Sequence, residues 1–78
     1  EFFSYSIKIA DFYYKDSAKN MSNRIVNETN IKNPLIKTIS NTKYRVLLGP
    51  FNDIKKLEDS FNEIKSLNFE NLEILKNV

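Results

Sequence analysis

The sequence predicts an α+β domain: one four-stranded antiparallel sheet with two helices on one face, in the order β-α-β-β-α-β. Three observations carry this expectation. Alternation of apolar and polar residues with a period of two recurs near the start, in the middle and at the end of the chain. Between these stretches lie two segments with apolar residues at helical spacing. Punctuation is sparse, with 1 Gly and 2 Pro, so Pro34 and Gly49-Pro50 stand out as boundaries.

In the first segment Tyr5, Ile7 and Ile9 alternate with Ser4, Ser6 and Lys8, the pattern of a half-buried strand. Asp16 then offers a side-chain oxygen as an N-cap. Ala18, Met21, Ser22, Ile25 and Val26 follow on one helical face, with Lys19, Asn20, Asn23 and Asn27 outward. The polar cluster Asn27–Asn33 ends this helix, and Pro34 forbids its continuation.

Leu35–Ser40 is the second strand, with Leu35, Lys37 and Ile39 on one side and Ile36 and Thr38 on the other. The turn Asn41-Thr42 leads into a third strand, Lys43–Leu48, in which Tyr44, Val46 and Leu48 share one face and Lys43, Arg45 and Leu47 the opposite one. Gly49-Pro50 is expected to stop this strand, Gly by permitting a positive φ or a close approach and Pro by fixing the next segment. Asn52 or Asp53 caps a second helix with the core stripe Ile54, Leu57, Phe61, Ile64 and Leu67, the cleanest amphipathic pattern in the chain. A last strand, roughly Glu70–Lys76, turns Leu72 and Ile74 one way and Glu73 and Leu75 the other. This ferredoxin/RNP-like order puts the first and third strands in the middle as antiparallel neighbours and leaves the sheet's second face open to water.

The chain has 78 residues, enough for one domain, 1–78, with a single small core and no deep cleft. Without cysteine there is no disulfide framework, thiol nucleophile or thiolate metal site; without histidine the usual general base and the commonest metal ligand are missing. Acids are scattered singly apart from Glu58-Asp59, so no carboxylate pair suggests hydrolysis or a hard-metal cage. The expectation is a domain that is not an enzyme and holds no cofactor and no metal, although a parent protein could carry a separate catalytic domain.

With 12 Lys+Arg against 10 Asp+Glu the net charge is +2, short of the dense basic stripe of nucleic-acid binders. Apolar stretches such as Val46-Leu47-Leu48 fall far below the roughly 20 residues of a membrane span. No signal peptide is visible, and the chain opens Glu1-Phe2-Phe3 without an initiator Met, which predicts a domain cut from a longer protein.

Two stretches, Ile7-Lys8-Ile9-Ala10-Asp11-Phe12 and Tyr44-Arg45-Val46-Leu47-Leu48-Gly49-Pro50-Phe51, resemble the two signature segments of the SPOR (sporulation-related) domain. In that family the first reads approximately V-Q-V-G-S-F and the second Y-R-V-x-[VI]-G-P-F. In the second segment Tyr44, Arg45, Val46, Gly49, Pro50 and Phe51 are all in place; in the first, Lys8, Ala10 and Asp11 replace Gln, Gly and Ser. The resemblance spans essentially the whole chain and implies a bacterial envelope or periplasmic domain that binds peptidoglycan, preferring glycan strands whose stem peptides have been removed. Such a domain localises a parent division or wall-remodelling protein.

Such strands alternate two N-acetylated sugars, one bearing a lactyl carboxylate. A carboxylate calls for an Arg fork or a Lys point charge, and sugar hydroxyls and acetamides call for side-chain donors and acceptors. By the resemblance, the glycan-binding positions fall on Lys8, Asp11, Lys43 and Arg45. Leu47 lies beside them, a fourth-strand contact falls near Glu73, and Leu75 is the better apolar candidate. Of Phe12-Tyr13-Tyr14, Phe12 closes the core and one tyrosine is partly exposed.

Two rivals from other classes share the fold. A protein-interaction or regulatory module predicts a protein partner for the open face. An RNA-binding domain of the RNA-recognition type would stack bases on aromatics in the first and third strands, where this chain offers Lys8, Lys43, Arg45 and Leu47 instead.

Overall fold

Six elements follow one another in the predicted order: β1 (Tyr5–Phe12), α1 (Lys15–Glu28), β2 (Leu35–Ser40), β3 (Lys43–Phe51), α2 (Ile54–Lys65) and β4 (Glu73–Lys76). They come from a computed structural model in which residues 3–77 are described. The strands form one antiparallel sheet in the order β2-β3-β1-β4, so β1 and β3 are central, and the α+β ferredoxin-like arrangement is as expected.

The core lies between the sheet and the helices. Ile7 and Ile9 of β1 and Val46 and Leu48 of β3 meet Ala18 and Ile25 of α1 and Leu57 and Ile64 of α2, none more than 5% exposed. Burying each large aliphatic side chain contributes about 1.5–3 kcal/mol, the main favourable term in a domain this small. Around these eight, Phe12, Tyr44, Phe51, Phe61 and Leu72 are partly buried. Tyr13 and Tyr14 are both exposed, their rings edge to face with centroids 4.8 Å apart.

The helix ends follow local hydrogen-bonding needs. Asp53 caps α2, its Oδ1 accepting from the backbone N–H of Lys55 at 2.7 Å and of Lys56 at 3.3 Å. In α1 the expected cap is displaced: Tyr14 holds the N-cap position without a side-chain cap, and Asp16 sits in the first turn, where its charge suits the positive end of the helix dipole. At the other end Thr29 Oγ1 donates to the Ile25 carbonyl at 2.7 Å and accepts from the Ile31 N–H at 3.0 Å, so the buried hydroxyl is satisfied and the chain turns.

Three boundaries differ from the sequence expectation. Ile54 is 56% exposed rather than core, because the first residue of α2 projects beyond the last core side chain. There it lines a shallow apolar groove with Leu57, Phe61 and the half-exposed Ile74 of the edge strand β4. The fourth strand is shorter than read from the alternation, since Glu70–Leu72 belong to the loop before it. The third strand runs on through Gly49-Pro50 to Phe51 instead of stopping. Ile7 pairs with Leu48 and Tyr5 with Phe51, so β3 accommodates an extra residue here and then resumes pairing.

Gly49 makes that irregularity possible. Its φ is +114°, and a Cβ there would stand 3.1 Å from the Tyr5 carbonyl oxygen and 3.1 Å from the Phe51 nitrogen. Both neighbours are backbone atoms in the central strand pair, which cannot yield as a flexible side chain can. Gly49→Ala is therefore expected to cost about 1–3 kcal/mol and to lower the thermal midpoint by about 5–15 °C. An unchanged midpoint in a thermal unfolding experiment would show that the strand relaxes freely at this point.

Candidate functional site on the uncovered sheet face

The face opposite the helices is shaped by a second irregularity. Lys8 pairs with Leu47 and Ala10 with Val46, leaving Ile9 as an extra residue in β1. A bulge of this kind reverses the alternation beyond it. Ile9 and Ala10 both turn to the helix side, Phe12 pairs with Tyr44 there, and Asp11 comes out opposite Arg45.

Lys8 and Asp11, three residues apart, thus share the open face. Arg45 Nε donates to Asp11 Oδ1 at 2.8 Å, and Nη2 donates to Oδ2 at 3.1 Å, a two-pronged pairing of fork with carboxylate. Lys8 Nζ stands 3.5 Å from Asp11 Oδ2 and 3.9 Å from Glu73 Oε1. The side chains of Lys8, Asp11 and Arg45 are 21%, 22% and 23% exposed, sheltered but open to a ligand, while Glu73 is largely solvated. The hydrogen bonds from Arg45 hold the Asp11 carboxyl below the ordinary value of 3.8; desolvation opposes this and the charges of Arg45 and Lys8 reinforce it. Asp11 in turn raises the pKa of Arg45.

Four of the residues expected at the site, Arg45, Lys8, Asp11 and Glu73, therefore form a single charge network. Arg45 uses two of its five N–H groups on Asp11, which leaves the outer edge of the guanidinium able to donate elsewhere. Lys43 lies on the same face, exposed and opposite Ser40. Leu47 sits half-buried between Leu35 and Lys8, and Leu75 half-buried beside Ser6.

Among the described residues two hollows flank the network. One, of about 530 Å³, lies where β1 runs past the start of β4 and is lined by Lys8, Ile9, Ala10, Asp11, Asn68, Phe69, Glu70, Asn71 and Glu73. The other, of about 380 Å³, is lined by Ser6, Lys37, Arg45, Leu47, Leu75, Lys76 and Asn77.

Several of these residues had not been singled out from the sequence. Lys37 stands opposite Arg45 in the β2–β3 register, and period two alone, which puts it with Leu35, would have found it. Ser6, expected outward, is only 7% exposed because Asn77 covers it: Ser6 Oγ donates to Asn77 Oδ1 at 3.2 Å, and the Asn77 backbone N–H donates to the Ser4 carbonyl at 2.9 Å. Nothing in the local pattern announces that contact across 71 residues. The alternating pattern also failed at Ser40, because Ile39 is an extra residue between the Thr38–Tyr44 and Ser40–Lys43 pairs.

No aromatic side chain points from the described strands to this face; Phe69, in the loop before β4, is among the residues lining the larger hollow. Among the described residues no group of three or more acidic, His or Cys side chains is placed to hold a metal ion, and no helix is long and apolar enough to cross a membrane.

The lowered pKa of Asp11 has a definite sign. A carboxyl whose folded-state pKa lies below its unfolded value stabilises the fold above the unfolded value, and that contribution is lost as pH falls through the folded one. Wild-type stability should therefore decline below about pH 3.8 more steeply than that of Asp11→Asn. Urea unfolding at a series of pH values from 5 to about 2 checks this; parallel curves for the two proteins would mean that the pair does not contribute.

Comparison with protein-family models, with curated proteins and with solved structures finds no match to this chain.

Proposed function

We propose that this domain is a non-catalytic binding module of the SPOR type, which attaches to bacterial peptidoglycan and prefers glycan strands without stem peptides. The observation that carries this reading is the seating of the segment Tyr44–Phe51 on the central strand β3. Tyr44, Val46 and Leu48 of the segment pack towards the helices, and Arg45 stands on the open face beside Lys8 and Asp11.

The chemistry of that face suits the polymer. Removing a stem peptide leaves a lactyl carboxylate on every second sugar, and the free edge of Arg45 together with the exposed Lys37 and Lys43 supplies donors and positive charge. Asp11, which alone would repel such a carboxylate, is neutralised by Arg45 and Lys8. Leu47 and Leu75 offer half-buried apolar surface to the C–H faces of the rings. Hydroxyls and acetamides can exchange hydrogen bonds with the amides of Asn68, Asn71 and Asn77. Affinity is modest, because a shallow hydrated face retains much of its water on binding. The role is to hold a parent division or wall-remodelling protein at the septum or at remodelled wall, outside the cytoplasmic membrane.

A second reading, a protein-interaction module, is favoured by one observation: the apolar groove of Ile54, Leu57, Phe61 and Ile74 on the helix side. Purified domain incubated with peptidoglycan sacculi, before and after amidase treatment, separates the two. Enrichment on the amidase-treated wall is expected, with a loss of about tenfold or more in Arg45→Glu and a smaller loss in Arg45→Gln, both checked for native circular dichroism. Absence of binding to either preparation would overturn the glycan reading and bring the protein-interaction reading forward.

A further inference from the structure

The two hollows of the open face differ in charge, and the difference has a direction. Of the described residues lining the smaller hollow none is acidic; two cations of the open face, Lys37 and Arg45, stand beside a floor of Leu47 and Leu75. The larger hollow carries three carboxylates, Asp11, Glu70 and Glu73, against the single cation Lys8, with the amides of Asn68 and Asn71. The two are neighbours along β1, one beside Ser6 and the other beside Asp11, with Lys8 between them.

We propose that the smaller hollow is a carboxylate subsite, and that it fixes the orientation of the bound strand. This rests on the glycan reading above and adds to it which sugar sits where. A lactyl group is a carboxylate on a short apolar stem. In this hollow the carboxylate meets the free edge of Arg45 and the ammonium group of Lys37, while the methyl group lies on Leu47 and Leu75. In the other hollow the same group would face Glu70 and the largely solvated Glu73, so like charge excludes it. The neighbouring sugar, which has no lactyl group, lies there instead, its hydroxyls donating to those carboxylates and its acetamide pairing with Asn68 or Asn71. Reversing the strand would put the carboxylate over the acids, so one polarity of the chain is bound.

The test uses two soluble probes and the isotope-labelled domain. One is a peptide-free tetrasaccharide released from sacculi, which carries lactyl carboxylates; the other is chitotetraose, whose sugars lack them. The tetrasaccharide is expected to shift the amide resonances of Ser6, Leu47 and Leu75, and to lose affinity about tenfold in Lys37→Glu. Lys19→Glu, the same charge change on the outer face of α1, should leave binding unchanged. Chitotetraose should bind more weakly than the tetrasaccharide and should be indifferent to Lys37→Glu. Lys37 is exposed, and Leu75→Ala, which removes floor without altering charge, supplies an independent variant with a smaller loss. Tetrasaccharide binding that ignores Lys37→Glu, or that shifts Asp11 and Glu70 in place of Leu47 and Leu75, would overturn the subsite while leaving the glycan reading intact. Failure to bind both the tetrasaccharide and sacculi would remove the two together.

Discussion

The single extra residue in β1 decides what lies on each face of the sheet. With strict alternation from Ile7, the next residues on the helix side would be Ile9 and Asp11, and Phe12 would be thrown out into water. Burying a carboxylate among aliphatic side chains is costly, and exposing a phenyl ring forfeits apolar burial that a domain this small needs. The extra residue at Ile9 resolves both conflicts at once. Ile9 and Ala10 pass to the core side in succession, Phe12 joins Tyr44 there, and Asp11 arrives opposite Arg45. The core and the charged face are therefore two consequences of one register.

Once Asp11 and Arg45 are opposed, their half-sheltered position sets what the pair is worth. A fully solvated ion pair contributes from nothing to about 1 kcal/mol, and a fully buried one can cost more in desolvation than it returns. At about one-fifth exposure, with two parallel hydrogen bonds, this pair keeps some contact with water and gains good geometry. Its larger effect is on order. A free Arg side chain would lose rotamer freedom on meeting a ligand, whereas Asp11 already holds this one in place. The accompanying loss is charge: Lys8, Arg45, Asp11 and Glu73 sum to zero, so the positive field of the face comes from Lys37 and Lys43 around it.

Much of this was legible in the sequence, for identifiable reasons. Element order came from periodicity, because strands with one wet face must alternate and helices covering a sheet must carry a stripe. The sheet faces of Tyr44–Leu48 and of Glu73–Leu75 followed from the same rule. Departures from period two were harder to see, since an extra residue is invisible to a rule that counts by twos. Ile9, Ile39 and the Gly49-Pro50 step are all of this kind. In β1 a trace existed: apolar positions change phase from Ile7 and Ile9 to Ala10 and Phe12. Gly49-Pro50 misled because Pro, lacking an N–H, is ordinarily a strand end, yet at an irregularity it removes no ladder bond and pairing resumes at Phe51. Contacts between distant segments, such as Asn77 over Ser6, had no local signature at all.

A core of eight buried apolar side chains among the described residues leaves little room to enclose a ligand, and this limits the kind of partner the domain suits. A shallow face gains little from excluding water, so selectivity must come from where charge and apolar surface alternate across it. On this sheet the alternation runs along β1, from the leucine-floored, cation-lined hollow at Ser6, across Lys8, to the acid-and-amide hollow at Asp11. A partner that alternates in the same way meets both hollows at once; one that is uniformly anionic meets repulsion in half of its footprint. Weak attachment to each repeat is sufficient when the partner is a polymer, because a departing domain finds an equivalent site beside the one it leaves, and retention grows with the number of sites.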